Sequence, residues 1–171
     1  MKGYIQVYTG NGKGKTTAAF GLSLRAIGNG LKVYFAQFVK GMPYSEIEAA
    51  TRFLPEITIE QFGLECFIIN KPTQQDIDAA RHGLDKVKEA LLSGKYDLVV
   101  LDEANIAVFY NLFSAEELVE TIRLKNESTE VVVTGRYAPQ QLIEIADLVT
   151  EMKEVKHYYT SGVEARKGIE F

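Results

Sequence analysis

The chain has 171 residues, 46 % of them apolar and 25 % charged, with a formal net charge of −4 and a pI near 5.3. That length suits one domain, spanning 1–171, with a sizeable core, and the acidic balance argues against a general nucleic-acid surface. The single cysteine, Cys66, excludes an intramolecular disulfide and a cysteine-cluster zinc site. No apolar run reaches membrane-spanning length and no signal-peptide layout opens the chain, so a cytoplasmic protein away from membranes is expected.

The elements alternate along the chain. A first strand over 4–8 runs into Thr9-Gly10-Asn11-Gly12-Lys13-Gly14-Lys15-Thr16-Thr17, and a helix follows over 15–28. The apolar positions of that helix form two stripes, Ala19, Leu22 and Ala26 beside Phe20, Leu24 and Ile27, which predicts burial on most sides. Further strands are expected at 32–38, 57–62, 97–102, 130–134 and 147–150. Residues 74–93 place Ile77, Ala80, Leu84, Val87 and Leu91 at helical spacing, with Thr73 and Asp76 as a capping box and Gly94 as the stop. Ser114 and Glu117 predict a second box, and Pro139 opens a short helix. Strands separated by helices imply crossovers and a mainly parallel sheet covered on both faces, a three-layer α/β/α fold of the P-loop NTPase-like (RecA-like) kind. Segments 63–72 and 151–171 read as irregular.

Strand, glycine-rich turn, Gly-Lys-Thr and helix are the phosphate-binding P-loop in its required context. Glycines let backbone N–H groups converge on phosphate oxygens, and the helix N-terminus adds a positive dipole end. Residues 9–17, with Gly10, Gly12, Gly14 and Thr17 among them, are therefore read as ATP-binding. Lys15 supplies a point charge to the outer phosphates, and the Thr16 hydroxyl is placed for Mg²⁺. Thr9 stands where the motif ordinarily has its first glycine. The run Leu98-Val99-Val100-Leu101 ends on Asp102-Glu103, carboxylates that can hold Mg²⁺ beside the loop. Arg136 follows the fifth strand on the ligand side, where it can clamp phosphates. Lys13 can add charge, Arg25 can border the base or ribose, and Gln37 and Lys40 end the second strand. His82 reads as solvated, His157 as structural, and Cys66 has no nucleophile motif around it. No Asn-Lys-x-Asp guanine reader is present, which favours ATP over GTP.

The sequence resembles the P-loop ATP:cob(I)alamin (corrinoid) adenosyltransferases. The resemblance rests on Tyr8 to Ala19, Gln37-Phe38-Val39-Lys40-Gly41, Leu101-Asp102-Glu103 and Val133-Thr134-Gly135-Arg136. In the tail it rests on Ala146 to Met152, Val155-Lys156-His157 and Gly162 to Phe171. It implies attack of a reduced corrinoid's Co(I) on C5′ of ATP, with triphosphate as the leaving group. It also implies Lys15, Thr16 and Glu103 as the catalytic set, and Thr16 and Glu103 as contacts to Mg²⁺, with Mn²⁺ a substitute. Asn11 and Arg25 then lie near the nucleoside, and Arg136 faces the nucleotide. A homodimer served by a flavoprotein reductase is implied as well.

The chain departs from the family's pattern at Cys66-Phe67-Ile68-Ile69, where Gly-Phe-Thr-Trp is frequent, and it contains no Trp. Phe67 and Ile69 are expected to touch the corrinoid there. Tyr137 replaces a small residue, and an N-terminal cap is expected to be missing. Two other functions fit a P-loop: an ATPase or small-molecule kinase, and a non-catalytic ATP or corrinoid binder.

Overall fold

The computed structural model describes residues 2–42, 44–64 and 71–170. Six strands form one sheet: β1 (Ile5–Thr9), β2 (Val33–Phe38), β3 (Ile57–Phe62), β4 (Leu98–Asp102), β5 (Glu130–Thr134) and β6 (Leu148–Glu151). Their order is β3-β2-β4-β5-β1-β6, and every neighbouring pair is parallel. The helices are α1 (Lys15–Gly28), α2 (Ser45–Phe53), α3 (Gln74–Leu92), α4 (Ala104–Phe109), α5 (Ala115–Arg123) and α6 (Gln140–Ile145). This is the expected α/β/α, P-loop NTPase-like architecture.

Alternation along the strands splits the core in two. Val33, Phe35, Leu98, Val100 and Val132 face Ala19 and Ala26 of α1. The intervening residues, Tyr34, Ala36, Val99, Leu101 and Val133, face the other helical layer, where Leu84 and Val87 of α3, Leu118 and Ile122 of α5 and Leu142 of α6 are buried. Central strands covered on both sides must be apolar throughout, which is why 98–101 carries no alternation. β6 lies at the sheet edge, and all four of its residues are exposed.

The caps of α3 and α5 form as expected. The Asp76 amide donates to Thr73 Oγ1 and the Thr73 amide to Asp76 Oδ2; Ser114 and Glu117 repeat the exchange. Burial of α1 on most sides does not hold. Its buried residues are Lys15, Ala19, Ser23 and Ala26, and Leu24 is 55 % exposed. Only one layer packs on it, so one stripe suffices, and Phe20 stacks on Phe35 at its edge with ring centroids 4.2 Å apart. Two helices, α2 and α4, were not expected from the sequence. Both are short, and neither has a side-chain N-cap.

Candidate active site

A cavity of about 780 Å³ opens where β1, β2, β4 and β5 end, bounded by the P-loop, the turns after β2 and β4, and the C-terminal tail. Ligands of open parallel sheets bind at this end. The turns that build it are strained. Val39 follows β2 at φ 63°, Glu103 follows β4 at φ 58°, and Tyr137 lies three residues after β5 at φ 58°. Left-handed backbone is rare for such side chains, and for a β-branched valine it is an outlier. Strain of this kind collects at functional sites. Here it turns Lys40, Glu103 and Arg136 toward one space.

Gly14 caps α1 in the left-handed region at φ 118°, and no side chain caps that helix. Its first-turn amides are thus left facing the cavity, an arrangement suited to an anion. Lys15 is buried, and its ammonium donates to the carbonyls of Gly10 at 2.8 Å and Gly12 at 2.7 Å. Burial pushes its pKa down, opposed by Glu103.

Asp102 is the hub of the opposite wall. It is fully buried. Oδ1 accepts from Thr16 Oγ1 at 2.9 Å and Thr134 Oγ1 at 2.6 Å; Oδ2 accepts from Gln37 Nε2 at 3.0 Å and Lys40 Nζ at 3.3 Å. Gln61 holds Gln37 in turn, donating to its Oε1 at 2.8 Å. Thr134 also accepts from the Glu103 amide at 3.0 Å, which ties the strained turn after β4 to β5. Burial, then the Asp102 charge, raises the Glu103 pKa, and Lys40 opposes both. Burial works against the Lys40 ammonium, but Asp102 and Glu103 outweigh it and its pKa is raised. Thr16, Asp102 and Glu103 are hard oxygen donors beside a phosphate loop, the donor chemistry that Mg²⁺ takes.

The tail covers the loop. The Met152 amide donates to the Thr9 carbonyl, and the Gly12 amide to the Met152 carbonyl at 2.7 Å. A Cβ on Gly10, at φ 94°, would lie 2.5 Å from that same carbonyl, so this glycine serves the tail's close approach as well as the phosphate turn. Lys13 points into the tail: its ammonium donates to Tyr158 Oη, the Ile169 carbonyl and Glu170 Oε1. Arg166, Tyr158 and Lys13 together hold the Glu170 carboxyl well below its ordinary pKa.

The matching family is described as ATP:corrinoid adenosyltransferase BtuR/CobO/CobP, and its match runs over residues 1–171. The chain belongs to this family. It is 39 % identical to a corrinoid adenosyltransferase of Pseudomonas aeruginosa over 99 % of its own length and 84 % of the relative's. The corresponding protein of Escherichia coli K12 is 37 % identical, with 99 % of this chain and 86 % of the relative covered. Corrinoid adenosyltransferase CobA of Salmonella typhimurium is 35 % identical over the same shares.

Among the residues expected in this adenosyltransferase's site, Gly12, Lys13, Gly14, Lys15, Thr16 and Thr17 line the cavity, as do Glu103 and Arg136. Thr9 lies beneath the loop, its hydroxyl accepting from the Ala138 amide at 3.3 Å. Gly10 contributes its carbonyl to Lys15. Asn11 and Arg25 are exposed and do not line the cavity. Phe67, Ile69 and Cys66 lie outside the described residues.

Sequence reasoning gave too little weight to four groups. Asp102, not Glu103, bonds to Thr16; its place as last residue of a buried strand was the available signal. Lys40 is legible in the sequence only as the end of the second strand and as part of the Gln37–Gly41 stretch that resembles the family. Thr134 is visible as the hydroxyl closing a run of three valines in β5. The tail residues His157, Ile169 and Glu170 line the cavity, and no local pattern announces that. Among the described residues there is no group of three His, Cys, Asp or Glu fit to hold a metal, and no helix long and apolar enough to cross a membrane.

Proposed function

We propose that the protein transfers the 5′-deoxyadenosyl group of ATP to the Co(I) of a reduced corrinoid, with triphosphate bound at the P-loop. Cobalt's electron pair forms the bond to C5′, and the C5′–O bond breaks with its pair leaving on triphosphate. The nucleophile belongs to the substrate, so no activated side chain is required of the protein. Its work is to hold C5′ in line and to stabilise the departing anion. Lys15 and the uncapped amides of α1 serve that anion, and Arg136 adds charge at the cavity wall. Thr16, Asp102 and Glu103 would hold Mg²⁺, or Mn²⁺ in its place, which neutralises phosphate charge when bound.

The observation that carries this reading is the family match over the whole chain, through the P-loop, the Asp102–Glu103 corner and the tail that straps them. By resemblance to the family, Asn11 and Arg25 serve the nucleoside, and Phe67 and Ile69 serve the corrinoid. A cytoplasmic homodimer fed by a flavoprotein reductase completes the proposal.

The test is an anaerobic assay of purified protein with chemically reduced cob(I)alamin and Mg²⁺·ATP. Light-sensitive adenosylated product with one triphosphate each is the expected result. Released phosphate with an unchanged corrinoid spectrum would make the protein an ATPase or kinase. Binding of either ligand without turnover would make it a carrier.

A further inference from the structure

Lys40 takes no role in the reaction proposed above, yet its ammonium pairs with both carboxylates of the site. Its side chain is 17 % exposed. Its ammonium lies 3.2 Å from Thr16 Oγ1, 3.3 Å from Asp102 Oδ2 and 3.7 Å from Glu103 Oε1. These are the same three residues that offer hard oxygens to a divalent cation. We propose that Lys40 is the built-in counter-cation of this oxygen set, and that the divalent cation arriving with the nucleotide displaces it. The proposal rests on the Mg²⁺·ATP reading above.

Three physical arguments support the exchange. First, two adjacent, largely enclosed carboxylates need a positive partner, because uncompensated buried charge is strongly destabilising. Among the described residues, Lys40 is the cation within ion-pair distance of both. Second, the two cations exclude each other. Mg²⁺ needs its oxygens at about 2.1 Å, and an ammonium hydrogen-bonded to those oxygens would sit within a few ångströms of it, with charges repelling. Third, the lysine has somewhere to go. Its stem is flexible, and its ammonium already lies 5.4 Å from the ring centroid of Tyr44, a cation–π distance. Both Lys40 and Tyr44 line the cavity, so the released charge stays beside the phosphates.

The consequence is ordered loading. The oxygen set binds a divalent cation poorly by itself and well when phosphates arrive with it, because the phosphates then take over the displaced ammonium. A lysine with a purely structural role makes the opposite prediction: its loss would disorganise the oxygens and weaken metal binding.

The experiment is Mn²⁺ binding to the full chain by electron paramagnetic resonance, without nucleotide or corrinoid. Lys40→Met should bind free Mn²⁺ at least 10-fold more tightly than wild type, and Lys40→Arg, which keeps the charge, should stay near wild type. Equal or weaker Mn²⁺ binding by folded Lys40→Met overturns the proposal. A second readout needs no neutral variant. In wild type with ¹³Cε-labelled lysine, the resonance missing from Lys40→Arg should shift when Mg²⁺·ATP is added. The resonance missing from Lys15→Arg reports nucleotide binding itself. If the Lys15 signal moves and the Lys40 signal stays, the exchange is refuted while the nucleotide reading stands. If neither moves, the nucleotide reading fails and the exchange fails with it.

Discussion

Thr134→Val isolates the joint between the P-loop and the strained turn after β4. The two side chains are nearly the same shape, so the change removes chemistry and leaves packing almost untouched. Two interactions go: the hydroxyl's donation to Asp102 Oδ1 at 2.6 Å, and its acceptance from the Glu103 amide at 3.0 Å. A hydrogen bond to a charged group is worth about 1.5–3 kcal/mol, and an orphaned buried donor costs about 1–3 kcal/mol. The added methyl group returns about 0.8 kcal/mol, and Asp102 keeps Thr16, Gln37 and Lys40 as partners. A net loss of about 2–5 kcal/mol follows. For a chain of this size that lowers the melting temperature by about 4–20 °C. Circular dichroism melts of wild type, Thr134→Val and Thr134→Ser measure it, and the serine variant should recover most of the loss. Calorimetric titration with Mg²⁺·ATP should show weaker binding in the valine variant, because Glu103 is no longer tied to β5. A Thr134→Val melt within about 2 °C of wild type would refute the assignment of Thr134 as a joint.

Lys15→Met should lose at least about 100-fold in turnover, or about 2.7 kcal/mol of transition-state stabilisation, measured as triphosphate release. Glu103 has its pKa raised in the fold, first by burial and then by Asp102. Its contribution to stability is therefore fullest below the unfolded carboxyl's pKa and is lost as pH rises through the higher folded value. The melting temperature of Glu103→Gln minus that of wild type should accordingly grow more positive from pH 4.5 to 7; a difference that shrinks would contradict the sign. Gly83→Ala sets a helix-propensity gain of about 1 kcal/mol against overpacking of about 1–3 kcal/mol. The new Cβ would lie 2.5 Å from the Phe62 ring, so a lower melting temperature is expected and a higher one counts against the packing. Glu170→Ala removes a tail anchor whose partner Lys13 is open to solvent and should leave the melt nearly unchanged, while trypsin cuts faster at Lys153 and Lys156 in the tail; unchanged cleavage would mean the Lys13–Glu170 contact does not hold the tail.

What could be read from the sequence followed the range over which each signal acts. The glycine-rich turn between β1 and α1, the capping boxes at Thr73 and Ser114, and the apolar strand 98–101 are local patterns, and each formed where it was expected. The α2 and α4 helices carry no cap, so nothing local distinguished them from loops. The one-sided burial of α1 is not legible in its sequence, because periodicity shows which residues are apolar but not how many layers cover them. The joints of the site are contacts of long sequence separation. Thr16 meets Asp102 across 86 residues, Lys40 meets it across 62, and Lys13 meets Glu170 across 157. Residue types at single positions could not announce those meetings; the parallel order β2-β4-β5-β1, with the tail returning past β6, brings them about.

These joints share a property that bears on how the site works. Its lysines already have partners within the protein: Lys15 on the Gly10 and Gly12 carbonyls, Lys40 on Asp102, Lys13 on Glu170. The Gly12 amide is likewise held by the Met152 carbonyl. Binding of a triphosphate is then an exchange of partners, and its affinity is the difference between the new phosphate interactions and the internal ones they replace. Such a site holds its charges without collapse and without taking up stray anions strongly. On the exchange proposed for Lys40, it grips hardest when a polyanion and a divalent cation arrive together, since the phosphates take over Lys15 and Lys40 and the cation satisfies Asp102. For a reaction whose leaving group is a triphosphate, that arrangement has a second effect. On that reading, the return of Lys15, Lys40 and Lys13 to their carbonyl and carboxylate partners would help the product leave.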